Sequence, residues 1–320
     1  MGSVQQTYPP GIHVPSLTWF KSDATQSIDW DVQEKHLEFL VKNGLHGIVI
    51  AGTNGEAATL APEEKIKLVR LTRSTAQKLG RPNLPVTVGT FGGGTQAIIE
   101  DTKLAAEAGG DYALVLVPSY FHFALDNAAI VNFFEEVASA SPIPIIVYNF
   151  PNVAAGLSVN SEMLEKLGDH PNIVAVKLTC GTIASVARSA AKFGRAIEEN
   201  PKFVALAGQS DWLVPCLSVG GAGCITGLAN LYPKACIQIF DLYTSGKTVE
   251  AETLQLELAV TEWGFGNGGI NGTKWIVAKK MGYPEESAWC RRPYPKFLSE
   301  EKRAWITRQV ANLEKIEKSL

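Results

Sequence analysis

Ile173-Val174-Ala175-Val176-Lys177-Leu178-Thr179 is a short apolar run, rich in β-branched side chains, with one ammonium group inside it. Such a run reads as a buried strand. A charge placed there is costly to desolvate, and a lysine that is neutral near pH 7 attacks carbonyls and can form a Schiff base. Lysine can also snorkel from a strand end or pair with a carboxylate. The other lysines fall in helix-like, loop or tail segments and read as solvated.

Seven more strand-like runs surround this one, at 13–19, 47–51, 85–90, 112–118, 144–150, 203–207 and 223–228. Helix-like segments alternate with them at 30–43, 62–79, 95–108, 127–140, 161–169, 183–192, 211–219 and 233–245. The strands are continuous hydrophobic runs, as expected for parallel strands covered on both faces. Pro62-Glu63-Glu64 suits a first helical turn, and Gly44, Gly80 and Gly109 suit left-handed helix ends. Eight β-then-α units predict an α/β fold, a (β/α)8 TIM barrel over 11–245, with a C-terminal helical extension over 246–320. A doubly wound sheet is the alternative. It calls for a glycine fingerprint after the first strand, where this chain reads Leu17-Thr18-Trp19-Phe20-Lys21. Beyond 245 the expected helices are 249–263, 273–281 and 300–318, with the glycine-rich 264–272 as a flexible turn.

The 320 residues are 46% hydrophobic with a net charge of −3, enough for a large core and without the basic stripe of a nucleic-acid binder. No apolar run is long enough to cross a membrane. Residues 1–7 lack the pattern of a secretory signal, and Gln6 stands where a myristoylation site wants Ser or Thr. The expected setting is therefore cytoplasmic. Five cysteines without a Cys-x-x-Cys pair argue against a disulfide framework or a zinc ribbon, although Cys180 follows the Lys177 strand. The five histidines are scattered, and neither a Walker loop nor a Gly-x-Ser-x-Gly elbow occurs. The expectation is a site with no metal and no cofactor.

Barrel chemistry sits at the C-terminal strand ends. Gly52-Thr53-Asn54-Gly55-Glu56 is a tight turn whose N–H groups can cradle a carboxylate or a phosphate. Glu56 reads as a base, or as an acid serving a helix dipole or a local hydrogen bond. Tyr148 ends the fifth strand, where its hydroxyl either relays protons or is a satisfied core group. Tyr120, Phe121 and Phe123 form an aromatic cluster that reads as a site wall or an oligomer contact.

With the Gly-x-x-Gly-Glu turn at 52–56, Tyr148-Asn149-x-Pro151 and the strand lysine Lys177, the chain resembles the dihydrodipicolinate synthase / N-acetylneuraminate lyase family of class I, pyruvate-dependent aldolases over nearly its whole length. The resemblance implies that Lys177 forms the imine with a 2-oxo acid such as pyruvate and that Tyr148 relays protons. Thr53 would link Tyr148 to a second tyrosine, matched here by Tyr120, which in many members a neighbouring subunit donates. Thr53 and Asn54 would hold the substrate carboxylate, with Thr179, Gly208 and Ile225 lining the pocket. A homotetramer or homodimer is implied. Residues 152–156 lack the arginine usual in dihydrodipicolinate synthases, and Leu178 and Asn54 replace their usual Glu and second Thr. Asn54 and Thr179 are more similar to 4-hydroxy-2-oxoglutarate aldolases. The stretches 177–181 and 268–274 are similar to fungal 2-keto-3-deoxy-L-galactonate aldolases. Cleavage of a hydroxylated 2-oxo acid is the first expectation. Condensation of pyruvate with aspartate semialdehyde, and a non-catalytic barrel that binds a 2-oxo acid, are the alternatives.

Overall fold

A computed structural model describes residues 7–320; the residues read for a leader and for lipidation, apart from Thr7, lie outside that range. Eight parallel strands close into a barrel in sequence order. They are β1 (Gly11–Pro15), β2 (Gly47–Ile50), β3 (Val86–Thr90), β4 (Tyr112–Leu116), β5 (Ile145–Asn149), β6 (Ile173–Leu178), β7 (Val204–Ala207) and β8 (Gly223–Ile225). The helices are α1 (Trp30–Lys42), α2 (Pro62–Lys78), α3 (Thr95–Glu107), α4 (Asn127–Ala140), α5 (Ser161–Gly168), α6 (Ile183–Phe193), α7 (Ala196–Glu199), α8 (Leu213–Ser218) and α9 (Pro233–Thr244). Beyond them come α10 (Thr248–Met281), α11 (Glu300–Gln309) and α12 (Ala311–Ser319). No described helix is long and apolar enough to cross a membrane.

Helix boundaries follow local chemistry. Asp29, Asp126 and Asn160 each accept a hydrogen bond from an N–H of the first turn of α1, α4 and α5. Each strand sends alternate side chains to two cores. An outer core lies between strands and helices, and an inner one fills the barrel with Val49, Leu114, Ile146, Tyr148, Leu206 and Ile225. Tyr8 plugs the N-terminal end, its hydroxyl 3.0 Å from His13 Nδ1 and 3.3 Å from Thr87 Oγ1.

Three expectations are corrected. The first strand ends at Pro15, four residues early: Ser16 N still donates to Val49 O at 2.9 Å, but then Leu17 N donates to Asn230 Oδ1 at 3.1 Å and Trp19 N to Gln33 Oε1 at 3.1 Å, side chains in place of a neighbouring strand. The segment 264–272 is not a flexible turn. Two helices do meet in it, as expected, but at a kink confined to Gly269 (φ 65°, ψ −171°), and the rest of the segment is helical. Its glycines let α11 approach, since a Cβ at Gly268 or Gly272 would stand 2.7 or 3.1 Å from Ile306 Cδ1, and tertiary packing overrides glycine's poor helix propensity. The last helix divides into α11 and α12 at the fully buried Val310.

His13 and His36 are fully buried, and burial lowers their pKa values to about 3 and about 4. Each is neutral in the folded chain but protonates near pH 6.5 once unfolded, so below 6.5 the unfolded state binds more protons and stability falls with pH. Between about pH 6.5 and about pH 5 the two together should remove about 3 kcal/mol of unfolding free energy. Denaturant unfolding at the two pH values measures this, and a flat profile would contradict it.

Candidate active site

Lys177 and Tyr148 are register partners on β6 and β5, so both side chains enter the barrel at one level. Both are buried, and Lys177 Nζ stands 4.3 Å from the centroid of the Tyr148 ring. Phe91 and Phe150 flank that ring, with centroids 6.0 and 5.8 Å away. The amine thus stands against apolar and aromatic surface at the barrel mouth.

Tyr148 Oη lies 3.3 Å from Thr53 Oγ1. Thr53 stands in the turn after β2, which is closed by Glu56 N donating to Thr53 O (3.0 Å) and Ala57 N to Gly52 O (3.2 Å). Among the described residues the N–H groups of Thr53 and Asn54 carry no intrachain hydrogen bond and remain open to an anion. Asn54 packs on the β8 side of the mouth, and a Cβ at Gly227 would come within 2.4 Å of its Nδ2. Thr179 follows β6, its Oγ1 buried and without a partner. Gly208 must be glycine here, because a Cβ would stand 2.1 Å from that oxygen. Ile225 is fully buried at the end of β8.

Seven of the eight expected residues therefore gather at the C-terminal mouth. Tyr120 does not join them within one chain: it is 85% exposed, stacks edge-on against Phe121, and makes no hydrogen bond to Thr53. Asn149, read as part of the tyrosine motif, turns its amide to the Ser158–Val159 loop, with Val159 N donating to Oδ1 at 3.1 Å. Cys180 lies 3.5 Å from Asn149 Nδ2. All five cysteines are free, and burial pushes the Cys216 thiol up to about 12. No three His, Cys, Asp or Glu side chains among the described residues are grouped as metal ligands.

Of three acids at the mouth, Asp211 and Glu262 carry no role in the sequence reading, and Glu56 carries one other than it finds. Asp211, after β7, has a buried Oδ1 without a partner, and desolvation raises its carboxyl pKa. Glu262 of α10 is buried and its pKa is also raised by desolvation. It accepts from Ser210 Oγ and, at 2.9 Å, from Thr226 Oγ1, tying together the segments after β7 and β8. Glu56, read as a base or as an acid serving a helix dipole or a local hydrogen bond, meets partners distant along the chain. It lies in a left-handed conformation (φ 57°), and its Oε1 is 2.7 Å from Nζ of Lys274 on α10. That overturns the reading of every lysine but Lys177 as solvated, because Lys274 is fully buried. The missed signal was the one that marked Lys177: Thr273-Lys274-Trp275-Ile276-Val277-Ala278 is also an apolar run around one ammonium.

A closed parallel barrel places an amine, a phenol and a hydroxyl at the C-terminal mouth, where (β/α)8 enzymes hold their active sites. A model of the Dihydrodipicolinate synthetase family matches residues 9–312, and the chain belongs to that family. It is similar to a protein named probable 4-hydroxy-2-oxoglutarate aldolase, mitochondrial, from Emericella nidulans, with 39% identity over 91% of each chain. It is also similar to the L-threo-3-deoxy-hexylosonate aldolase of Hypocrea jecorina, with 36% identity over 98% of each. Among solved structures, a dihydrodipicolinate synthase family protein from Coccidioides immitis superposes with a TM-score of 0.87 at 35% identity over 98% of each chain. The chain is a carbon–carbon lyase of the aldolase kind.

Proposed function

We propose that this lyase works through a Schiff base on Lys177 and reversibly cleaves a hydroxylated 2-oxo acid, a 2-keto-3-deoxy sugar acid or 4-hydroxy-2-oxoglutarate, to pyruvate and an aldehyde. The observation that carries the reading is the in-register Lys177–Tyr148 pair with Tyr148 hydrogen-bonded to Thr53. Lys177 Nζ adds to the C2 carbonyl, the Tyr148 hydroxyl gives its proton to the departing oxygen, and water leaves, giving an iminium and a Tyr148 phenolate. The C4 hydroxyl gives its proton to the Tyr148 oxygen, the C3–C4 bond breaks, and its electron pair moves into the iminium as the aldehyde departs. Tyr148 passes the proton to C3 of the enamine; water then adds to the iminium and releases pyruvate from the lysine, and the proton set free restores the Tyr148 hydroxyl. The Thr53–Asn54 turn fixes the carboxylate, which keeps the reacting carbon over Nζ. Thr179 and Asp211, each with an unpartnered buried oxygen, supply acceptors for substrate hydroxyls.

The names of the two relatives support cleavage. So does the chain after β5, where Asn152-Val153-Ala154-Ala155-Gly156 offers no cation for the carboxylate of aspartate semialdehyde. Reduction with borohydride in the presence of pyruvate should leave one pyruvyl adduct on Lys177, found by peptide mapping. Cleavage of 4-hydroxy-2-oxoglutarate or a 3-deoxy-hexulosonate should exceed condensation on aspartate semialdehyde by at least about a hundredfold, since a site without a partner for a buried carboxylate rejects it. Efficient condensation would overturn this choice.

The proposal includes a homodimer or homotetramer in which exposed Tyr120, Phe121 and Phe123 meet another subunit and Tyr120 completes a relay to Thr53. A one-chain molar mass in solution would remove that part. It also includes a cytoplasmic setting. The Emericella relative is named as mitochondrial, and cell fractionation decides between the two compartments.

A further inference from the structure

Lys274 belongs to the helical extension after the barrel, yet its side chain is bound to the turn that carries Thr53 and Asn54. Nζ donates to Glu56 Oε1 at 2.7 Å and to Trp289 O at 3.3 Å, under the rings of Phe20 (4.6 Å) and Trp19 (5.8 Å). The other carboxylate oxygen, Glu56 Oε2, accepts from Arg291 N at 2.8 Å. Both oxygens of Glu56 are thus held by chain that lies beyond the barrel.

Stability alone is a weak reason for this pair. Both side chains are almost wholly buried, and the desolvation of two charges largely cancels their attraction, so an apolar pair of similar volume would serve the core as well. What an apolar pair lacks is direction. Glu56 sits in a left-handed backbone conformation, unfavourable for a residue with a Cβ and kept only where the surroundings fix it. Three residues earlier, Thr53 must present its hydroxyl to Tyr148 and its N–H to the substrate carboxylate. The turn is otherwise held by Glu56 N to Thr53 O, Ala57 N to Gly52 O, Thr59 N and Oγ1 to Glu56 O, and Thr18 Oγ1 to Gly55 O at 2.7 Å, none of which reaches the Glu56 carboxylate.

We propose that Lys274 is a positioning residue for the reaction: acting through Glu56, it sets the turn after β2 so that Thr53 and Asn54 receive the substrate carboxylate. It touches no reacting atom. The inference rests on the Schiff-base reading above.

The test is borohydride trapping of pyruvate on Lys177 over a range of pyruvate concentrations, with thermal unfolding measured alongside. Lys274→Met leaves Glu56 charged and unpaired, so it should lose both stability and pyruvate binding. The deciding protein is the double variant Glu56→Gln/Lys274→Met, which carries no buried charge and keeps an acceptor for Arg291 N. It should regain most of the wild-type Tm but still need about tenfold more pyruvate for half-maximal trapping, as displacement of a binding group requires. Lys280→Met, which breaks the Lys280–Glu314 pair on the same helix, should trap with the wild-type concentration dependence. A double variant that regains both Tm and half-saturation would overturn the proposal, because the pair would then serve the fold alone. A double variant that fails to fold overturns it for the same reason. Absence of an adduct in the wild-type protein would instead remove the functional reading, and this inference with it. An adduct in the wild type with unchanged half-saturation in the double variant would remove only the inference.

Discussion

Lys177→Ala should lower turnover of the 2-oxo acid by at least about a thousandfold and abolish the borohydride adduct, because no other group at the mouth can form an imine. The other buried lysine among the described residues, Lys274, is committed to Glu56 and Trp289. The loss should fall on kcat, since the carboxylate turn after β2 is untouched and an inert analogue of the substrate acid should still bind. Stability should change little, because no charged partner of Lys177 among the described residues is left unpaired. Rate measurement, mass spectrometry of the reduced protein and analogue binding check the three parts. Retained turnover in the alanine variant would end the Schiff-base mechanism. Retained pyruvate capture at another lysine would move the site.

Tyr148→Phe should keep the ring that packs against Phe91, Phe150 and the Lys177 side chain while removing the one oxygen placed to move a proton. A loss of about a hundred- to ten-thousandfold in kcat is expected, the usual worth of a positioned acid–base group. Imine formation should slow, but at long exposure the pyruvyl adduct on Lys177 should still reach wild-type extent, because the nucleophile remains. That separates relay from nucleophile: Lys177→Ala loses the adduct and Tyr148→Phe only its rate. Thr53→Val should move kcat in the same direction by less, since it removes the partner of the Tyr148 hydroxyl and leaves the hydroxyl itself. A Tyr148→Phe enzyme with unchanged kcat would return Tyr148 to the role of a core aromatic.

The alternation of apolar runs with helical segments was enough to read the barrel, because parallel strands covered on both faces leave a period in the chain that needs no tertiary information. The same logic placed Lys177 and Tyr148 near each other: they end consecutive strands of a closed sheet, where strand order follows chain order. Boundaries were less legible. The end of β1 depends on Asn230 and Gln33 taking the N–H groups of Leu17 and Trp19, and Asn230 is 213 residues from Leu17. The glycine run in α10 looked like a turn because glycine's cost in a helix is local, whereas the Ile306 side chain that makes those glycines useful comes from another helix.

By itself, then, the sequence determined the (β/α)8 architecture, the strand that carries the amine, the phenol beside it and the turn that faces them. Each of these is written in hydrophobic period or in residues close along the chain. Only the tertiary structure decided what the remaining charges do. Glu56 meets Lys274 across 218 residues, Glu262 ties together the segments that follow β7 and β8, and Asp211 keeps an unpartnered oxygen at the mouth. The physical reason is that the role of a charged side chain depends on its desolvation and its partner, and both are properties of the packed chain.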